Sequence, residues 1–195
     1  MRFPVFPLNG AILFPGTNLP LNIFEKKYLK MVDYALSKNR TIGMIQKNEN
    51  NSFFKIGCLG KITKFTETED GRYEINLLGL SRFYFKKTTQ DDFEFIIIDG
   101  EIIKQKNVTI NRKYTNKKLL ESFKNYLSFK KINFNVSGFE GLDSIGLAKI
   151  ICVISPLDYL IKQMLLEFNN DEDLYKNLLS ALEFEMQKTE NLKVN

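Results

Sequence analysis

The chain has 195 residues, 44% of them apolar, with no histidine, no tryptophan and a formal net charge of +5 from 28 basic and 23 acidic side chains. Without histidine, a Ser-His-Asp triad, a Cys-His pair and any His-bearing zinc or iron site are excluded, and two distant cysteines, Cys58 and Cys152, cannot make a four-thiolate site. A chain of this length can bury a core without disulfides or metal, and no apolar run approaches the ~18 residues that span a bilayer.

Residues 1–23 are punctuated by Pro4, Pro7, Pro15, Pro20, Gly10 and Gly16. Proline fixes φ and lacks a backbone donor, so this stretch predicts short strands joined by tight turns. Residues 24–37 change period: Phe24, Tyr28, Met31, Val32, Ala35 and Leu36 fall on one helical face, and Asn39 is the expected stop. Strand periodicity returns at Thr41, with strands expected over 42–46, 57–67 and 72–78. Asp70-Gly71 marks a hairpin between the last two. Gly79-Leu80-Ser81 marks a bend or bulge, and further strands are expected over 82–87 and 93–103. Five to seven short strands around one helix suggest a small, partly closed barrel.

Beyond Lys104 the pattern is helical. Residues 112–131 place Leu119, Leu120, Phe123, Tyr126 and Leu127 on one side, and residues 138–154 group Leu147, Ile150, Ile151 and Ile154. Ser155-Pro156-Leu157-Asp158 reads as a helix start with serine as N-cap, and that helix is expected to reach about Phe168. Asn170 followed by Asp171-Glu172-Asp173 opens a last helix lined by Leu174, Leu178, Ala181, Leu182 and Met186, with a frayed tail after Glu190. The fold class is therefore α+β, with a barrel subdomain over 1–103 and a helical-bundle subdomain over 104–195. The boundary falls near 104–111.

Charge is unevenly spread. Residues 104–131 carry nine basic side chains and one acidic, whereas residues 132–195 carry five basic and ten acidic. The middle block is suited either to an anionic partner or to solvent. Lysine outnumbers arginine 23 to 5, and nucleic-acid sites favour arginine where two bonds grip a base or phosphate. Both cysteines sit among apolar neighbours and read as small core residues in a reducing compartment. The start, Met1-Arg2-Phe3-Pro4-Val5-Phe6-Pro7, makes a poor signal peptide. A cytoplasmic location is expected.

Motifs for catalysis are weak. Ser-x-x-Lys occurs at Ser52 to Lys55 and at Ser128 to Lys131, about as often as nine serines and 23 lysines produce by chance, and without the companion motifs of a penicillin-binding site. No P-loop is formed, since Gly60-Lys61 is followed by Ile62. Gly57-Cys58-Leu59-Gly60 lies in a strand-like stretch rather than between helices, unlike a KH loop. Asp91-Asp92 looks like an exposed turn and Asp171-Glu172-Asp173 like a helix cap. Neither has apolar flanks that would raise a pKa for acid–base work. No cofactor and no metal are expected.

Three segments carry a resemblance. They are Phe6-Pro7-Leu8-Asn9-Gly10, Leu13-Phe14-Pro15-Gly16 and Leu19-Pro20-Leu21-Asn22-Ile23-Phe24-Glu25-Lys26-Lys27-Tyr28. Ile42-Gly43-Met44, Gly57-Cys58-Leu59-Gly60, Asp70-Gly71-Arg72-Tyr73 and Gly79-Leu80-Ser81-Arg82-Phe83 follow in order. This arrangement resembles the start of the Lon protease N-terminal domain family, and the resemblance covers residues 1–103. It implies a PUA-like small β-barrel with one or two short helices, followed by a C-terminal helical bundle like that of free-standing bacterial members. In Lon proteases this domain helps select and hold protein substrates, ahead of ATPase and Ser-Lys protease domains, and this chain ends without either. A non-catalytic module is therefore expected.

The signature residues are Pro7, Phe14, Pro15, Pro20, Phe24, Glu25, Tyr28, Gly43, Arg72, Gly79, Arg82 and Phe83. The prolines and glycines most simply set turns, and Phe14, Phe24 and Tyr28 most simply fill the core. Lys27 stands where the family pattern has arginine and Asn22 where it often has histidine. Glu25 and Arg82 match the pattern and are expected to pair across the barrel.

Three functions follow as expectations. The first is recognition of a protein or unfolded polypeptide, for instance by strand addition at a sheet edge. The alternative is RNA binding by a PUA-like protein through the basic block 104–131. The third is a small-molecule pocket lined by phenylalanines. No membrane association is expected, and the sequence leaves the oligomeric state open.

Overall fold

The proline and glycine punctuation of the first 23 residues yields two short strands, β1 (Arg2–Pro7) and β2 (Asn18–Ile23), before the first helix. A computed structural model describes residues 1–90, 92–104, 115–139 and 141–192. The expected boundary at 104–111, apart from Lys104, lies outside these residues. So do Asp91, the basic residues Lys106, Arg112 and Lys113, and the last three residues of the expected tail. By contact the chain divides into two compact units, Met1–Gln105 and Lys106–Asn195. The class is α+β.

In the first unit, helix α1 (Lys26–Leu36) is followed by β3 (Thr41–Ile45), β4 (Ile56–Glu67), β5 (Tyr73–Thr88) and β6 (Ile96–Ile102). The strand order is β2-β5-β4-β3-β1-β6, and β6 pairs back onto β5. Strands β5, β4, β3, β1 and β6 thus form a closed ring, with β2 attached outside it on the first half of β5. All pairings are antiparallel except that of β1 with β3. Closure leaves the five ring strands without a free edge, and the outer strand β2 keeps one.

The expected strands 72–78 and 82–87 are one strand. Leu59 pairs with Ser81 and Gly60 with Gly79, so Leu80 is an extra residue that bends β5 without ending it. The expected strand 93–103 starts later. Phe93 and Phe95 stack on each other at 4.9 Å, and both rings lie against Tyr34 of α1 instead of entering the ladder. The core holds Phe3, Val5, Ile45, Leu59, Phe83 and Ile98. Helix α1 covers β1 and β3 through Met31, Val32 and Ala35. Its end is closed by Arg40, left-handed at φ 62°, whose N–H donates to the Ala35 carbonyl at 2.8 Å.

The second unit contains α2 (Asn116–Phe129), a short 3-10 turn (Ser137–Phe139), α3 (Ser144–Ile154), α4 (Tyr159–Glu167) and α5 (Asp171–Leu192). Helix α5 packs against α2, α3 and α4 through Leu174, Tyr175, Leu178 and Leu182. The expected helix over 138–154 is shorter than predicted because Asp143 caps it, accepting from Ile145 N at 3.0 Å and Gly146 N at 2.9 Å. Ile154 is exposed rather than buried with Leu147 and Ile151. Ser155 is not the N-cap of the next helix. It closes α3, and Asp158 caps α4 by accepting from Leu160 N at 2.8 Å. Asn170 caps α5 as its position predicts, accepting from Asp173 N at 2.7 Å.

Candidate functional site

The signature residues fall into separate groups. Phe14, Pro15, Gly16 and Thr17 form a tight turn in which Phe14 O accepts from Thr17 N at 3.0 Å and Gly16 takes φ 85°. Proline followed by a positive-φ glycine is the chemistry of a type II turn. Thr17 Oγ1 adds a bond to each end of Phe14, at 3.1 and 2.8 Å. The turn is bonded to Gly79 on β5: Gly16 N donates to Gly79 O, and Gly79 N to Thr17 O, both at 2.9 Å. A Cβ at Gly79 would lie 2.0 Å from Phe14 O. Two motifs far apart in sequence, at Phe14–Thr17 and at Gly79, are thus one structural joint.

A second group surrounds Phe3. Phe83 is fully buried and meets the Phe3 ring edge-on at 4.9 Å, and a Cβ at Gly43 would lie 2.7 Å from Phe3 Cε2. Next to Pro7, the last residue of β1, Phe6 packs on Tyr28 at 4.4 Å. Lys27 Nζ lies 4.6 Å from the Tyr28 ring centre, a cation–π arrangement.

Two expectations are overturned here. Phe24 does not enter the core; it is 67% exposed, because α1 begins two residues later with Glu25 as its N-cap. Glu25 does not pair with Arg82. Its carboxylate lies 3.1 Å from Lys27 Nζ, whereas Arg82 is buried opposite Cys58. The neighbouring Glu25 raises the Lys27 pKa. Burial pushes the Cys58 thiol well up, against the opposing charge of Arg82.

Arg72 stands apart at the β4–β5 hairpin. Its Nε donates to Asp70 Oδ2 at 2.8 Å, and this guanidinium together with the Thr68 hydroxyl holds the Asp70 carboxyl well below the usual carboxylate range. Pro20 sits on the outer strand β2. Because Gly79 N donates to Thr17 O, the alternation continues with Leu19, Leu21 and Ile23 bonding β5 and with Asn18, Pro20 and Asn22 facing the free edge. Pro20 has no N–H, so it removes one of the three donors from that edge.

Among the described residues no side-chain hydrogen bond joins Ser52 to Lys55 or Ser128 to Lys131; Lys131 N donates to Ser128 O at 3.0 Å, a backbone turn at the end of α2. Burial pushes the Cys152 thiol well up, like that of Cys58. Among the described residues no group of carboxylates and cysteines fits a metal, and no helix is long and apolar enough to cross a membrane.

Sequence periodicity missed one surface feature. On the outer side of α2, two adjoining cavities of ≈ 480 Å³ each share Leu120 and Lys124. One extends toward Asn116 and Lys117, the other toward Ile132 and Phe134 in the segment after the helix. Leu120 falls on the core side by period but is only half-buried. The available signal was the alternation Ile132-Asn133-Phe134-Asn135-Val136, whose first two apolar members are exposed and whose last is buried.

A family model described as the ATP-dependent protease La (LON) substrate-binding domain matches residues 2–183. The chain belongs to this family. Among relatives, the Lon protease of Buchnera aphidicola subsp. Baizongia pistaciae is 26% identical over 203 residues, covering 95% of this chain and 25% of the relative. The Lon protease of Cytophaga hutchinsonii is 31% identical over 128 residues, covering 62% of this chain and 16% of the relative. The chain thus spans at most about a quarter of these relatives' length. Two solved structures share the LON-domain fold. The Lon N-terminal domain protein from Xanthomonas campestris has a TM-score of 0.69 at 18% identity, covering 92% of this chain and 98% of that one. The N-terminal domain of Mycobacterium avium complex Lon protease has a TM-score of 0.71 at 15% identity, covering 94% and 98%.

Proposed function

We propose that this chain is a non-catalytic protein- and peptide-binding module, built as a PUA-like barrel over 1–103 followed by a helical bundle over 104–195. The observation that carries this reading is the match of the LON substrate-binding model to residues 2–183. The closed ring of β-strands and, among the described residues, the four helices α2–α5 support the architecture. Both thiols are buried and neither Ser-x-x-Lys pair is joined by a side-chain hydrogen bond, which supports binding without covalent chemistry. Most signature residues hold turns and core contacts, so their part in binding is to keep the scaffold rigid. Strand addition is the weaker route, because Pro20 blunts the free edge of β2.

The test is retention of a chemically unfolded reporter protein on the immobilised chain, beside the same reporter folded. Selective retention of the unfolded form is expected. Equal retention of both forms, or of neither, removes the reading. Selective retention of single-stranded RNA, falling steeply with salt, would transfer the function to nucleic acid.

A further inference from the structure

We infer that the groove along the outer face of α2 seats a polypeptide segment whose apolar side chains are flanked by carboxylates. This rests on the reading of the chain as a peptide-binding module and names the place and the class of segment. Lys117, Leu120, Lys124 and Leu127 recur at three- and four-residue spacing, so they form one stripe on α2. The two cavities along this stripe meet at Leu120 and Lys124. Each lies within the ~300–1,000 Å³ range of ligand sites.

The floor and far wall carry apolar side chains interleaved with Ser128, Asn133 and Asn135. Leu127 and Val136 are buried, whereas Ile132 is 39% and Phe134 45% exposed, although large apolar side chains are normally drawn inside. The rim is cationic. Lys117 and Lys124 line the groove with one acid, Glu121, and neither lysine has an ion-pair partner among the described residues. Lys130, at the C-cap of the same helix, differs: it reaches Glu185 at 3.2 Å. Cations beside exposed apolar side chains match a segment that supplies both apolar groups and anions. RNA fits this floor less well. Leu120, Leu127 and Ile132 offer neither a phosphate donor nor a ring for a base, and one face of Phe134 is stacked on Phe139.

The experiment uses the whole chain and fluorescein-labelled peptides read by anisotropy. One peptide carries leucine and phenylalanine with glutamate flanks; the other replaces glutamate by lysine. The glutamate form is expected to bind roughly 10-fold tighter, from two exposed ion pairs, with the gap closing at high salt. The double variant K117E/K124E should reverse the preference, and I132A/F134A should weaken both peptides. All four positions are exposed, so far-UV circular dichroism should be unchanged; K117Q/K124Q gives a milder check that only abolishes the preference. An unaltered preference in K117E/K124E overturns the groove. If the unfolded reporter is still retained by that variant and by I132A/F134A, the module reading stands and only the groove falls. Failure of the wild-type chain to hold either peptide or the unfolded reporter removes both. Displacement of the glutamate peptide from the stripe by single-stranded RNA, lost in K117Q/K124Q, overturns the peptide assignment.

Discussion

Replacing Gly79 by alanine tests the joint between the Phe14–Thr17 turn and β5. The new Cβ would lie 2.0 Å from Phe14 O and 2.8 Å from Phe14 C, both backbone atoms that cannot swing aside. Relief requires the turn to withdraw from β5, which breaks the Gly16 N–Gly79 O and Gly79 N–Thr17 O bonds. Overpacking of ~1–3 kcal/mol plus two backbone bonds at about 1 kcal/mol each gives a loss of roughly 3–5 kcal/mol. Gly10→Ala is the control. It also replaces a glycine, at φ 86°, but nothing lies within 4 Å of its Cβ, so only the left-handed cost of about 1–2 kcal/mol applies. Urea unfolding followed by circular dichroism gives both losses, and hydrogen exchange of β5 amides assigns them to the strand unit. If Gly79→Ala costs no more than Gly10→Ala, the close approach is not what this glycine provides.

Phe24→Ser should shift stability by less than ~0.5 kcal/mol in the same urea assay, since the ring is exposed. Asp158→Ala should cost about 1 kcal/mol and Ser155→Ala distinctly less, because the aspartate caps α4; equal costs would restore serine as the cap. Lys162 Nζ donates to Val153 O at 3.2 Å, and burial holds its pKa below the ordinary 10.5. Between that lowered value and 10.5 the unfolded chain keeps a proton that the folded chain releases, so this group makes stability rise with pH across that window. Lys162→Met should therefore be most favourable relative to wild type near neutrality. Its advantage should shrink as pH climbs toward 10.5, followed by thermal melting at each pH.

Much of this fold is readable in local chemistry. Asp70-Gly71 turns the hairpin, Pro15-Gly16 makes the type II turn, and Asn170 caps α5 because each acts on its own immediate backbone. The misreadings arise where distance or competition decides. Phe24 fits the helical period, but Glu25 starts the helix and leaves it outside. Ser155 and Asp158 are both plausible caps, and the preceding helix takes the serine. Arg82 looks like a partner for Glu25 until the sheet buries it. The α2 groove has no single-helix signature, since its far wall comes from residues 132–136 folding back alongside.

The ring closes only when β1, beginning at Arg2, is held between β3 and the returning β6, which ends at Ile102. On a ribosome, the first strand made must wait for almost the last residue of its unit before it gains its second neighbour. Local hairpins such as β4–β5 can form early, but the loop-closure entropy of joining strands over 90 residues apart is repaid only at the end. The ring is therefore expected to close slowly and late, and until then the unit is itself an incompletely folded polypeptide with apolar strands on show.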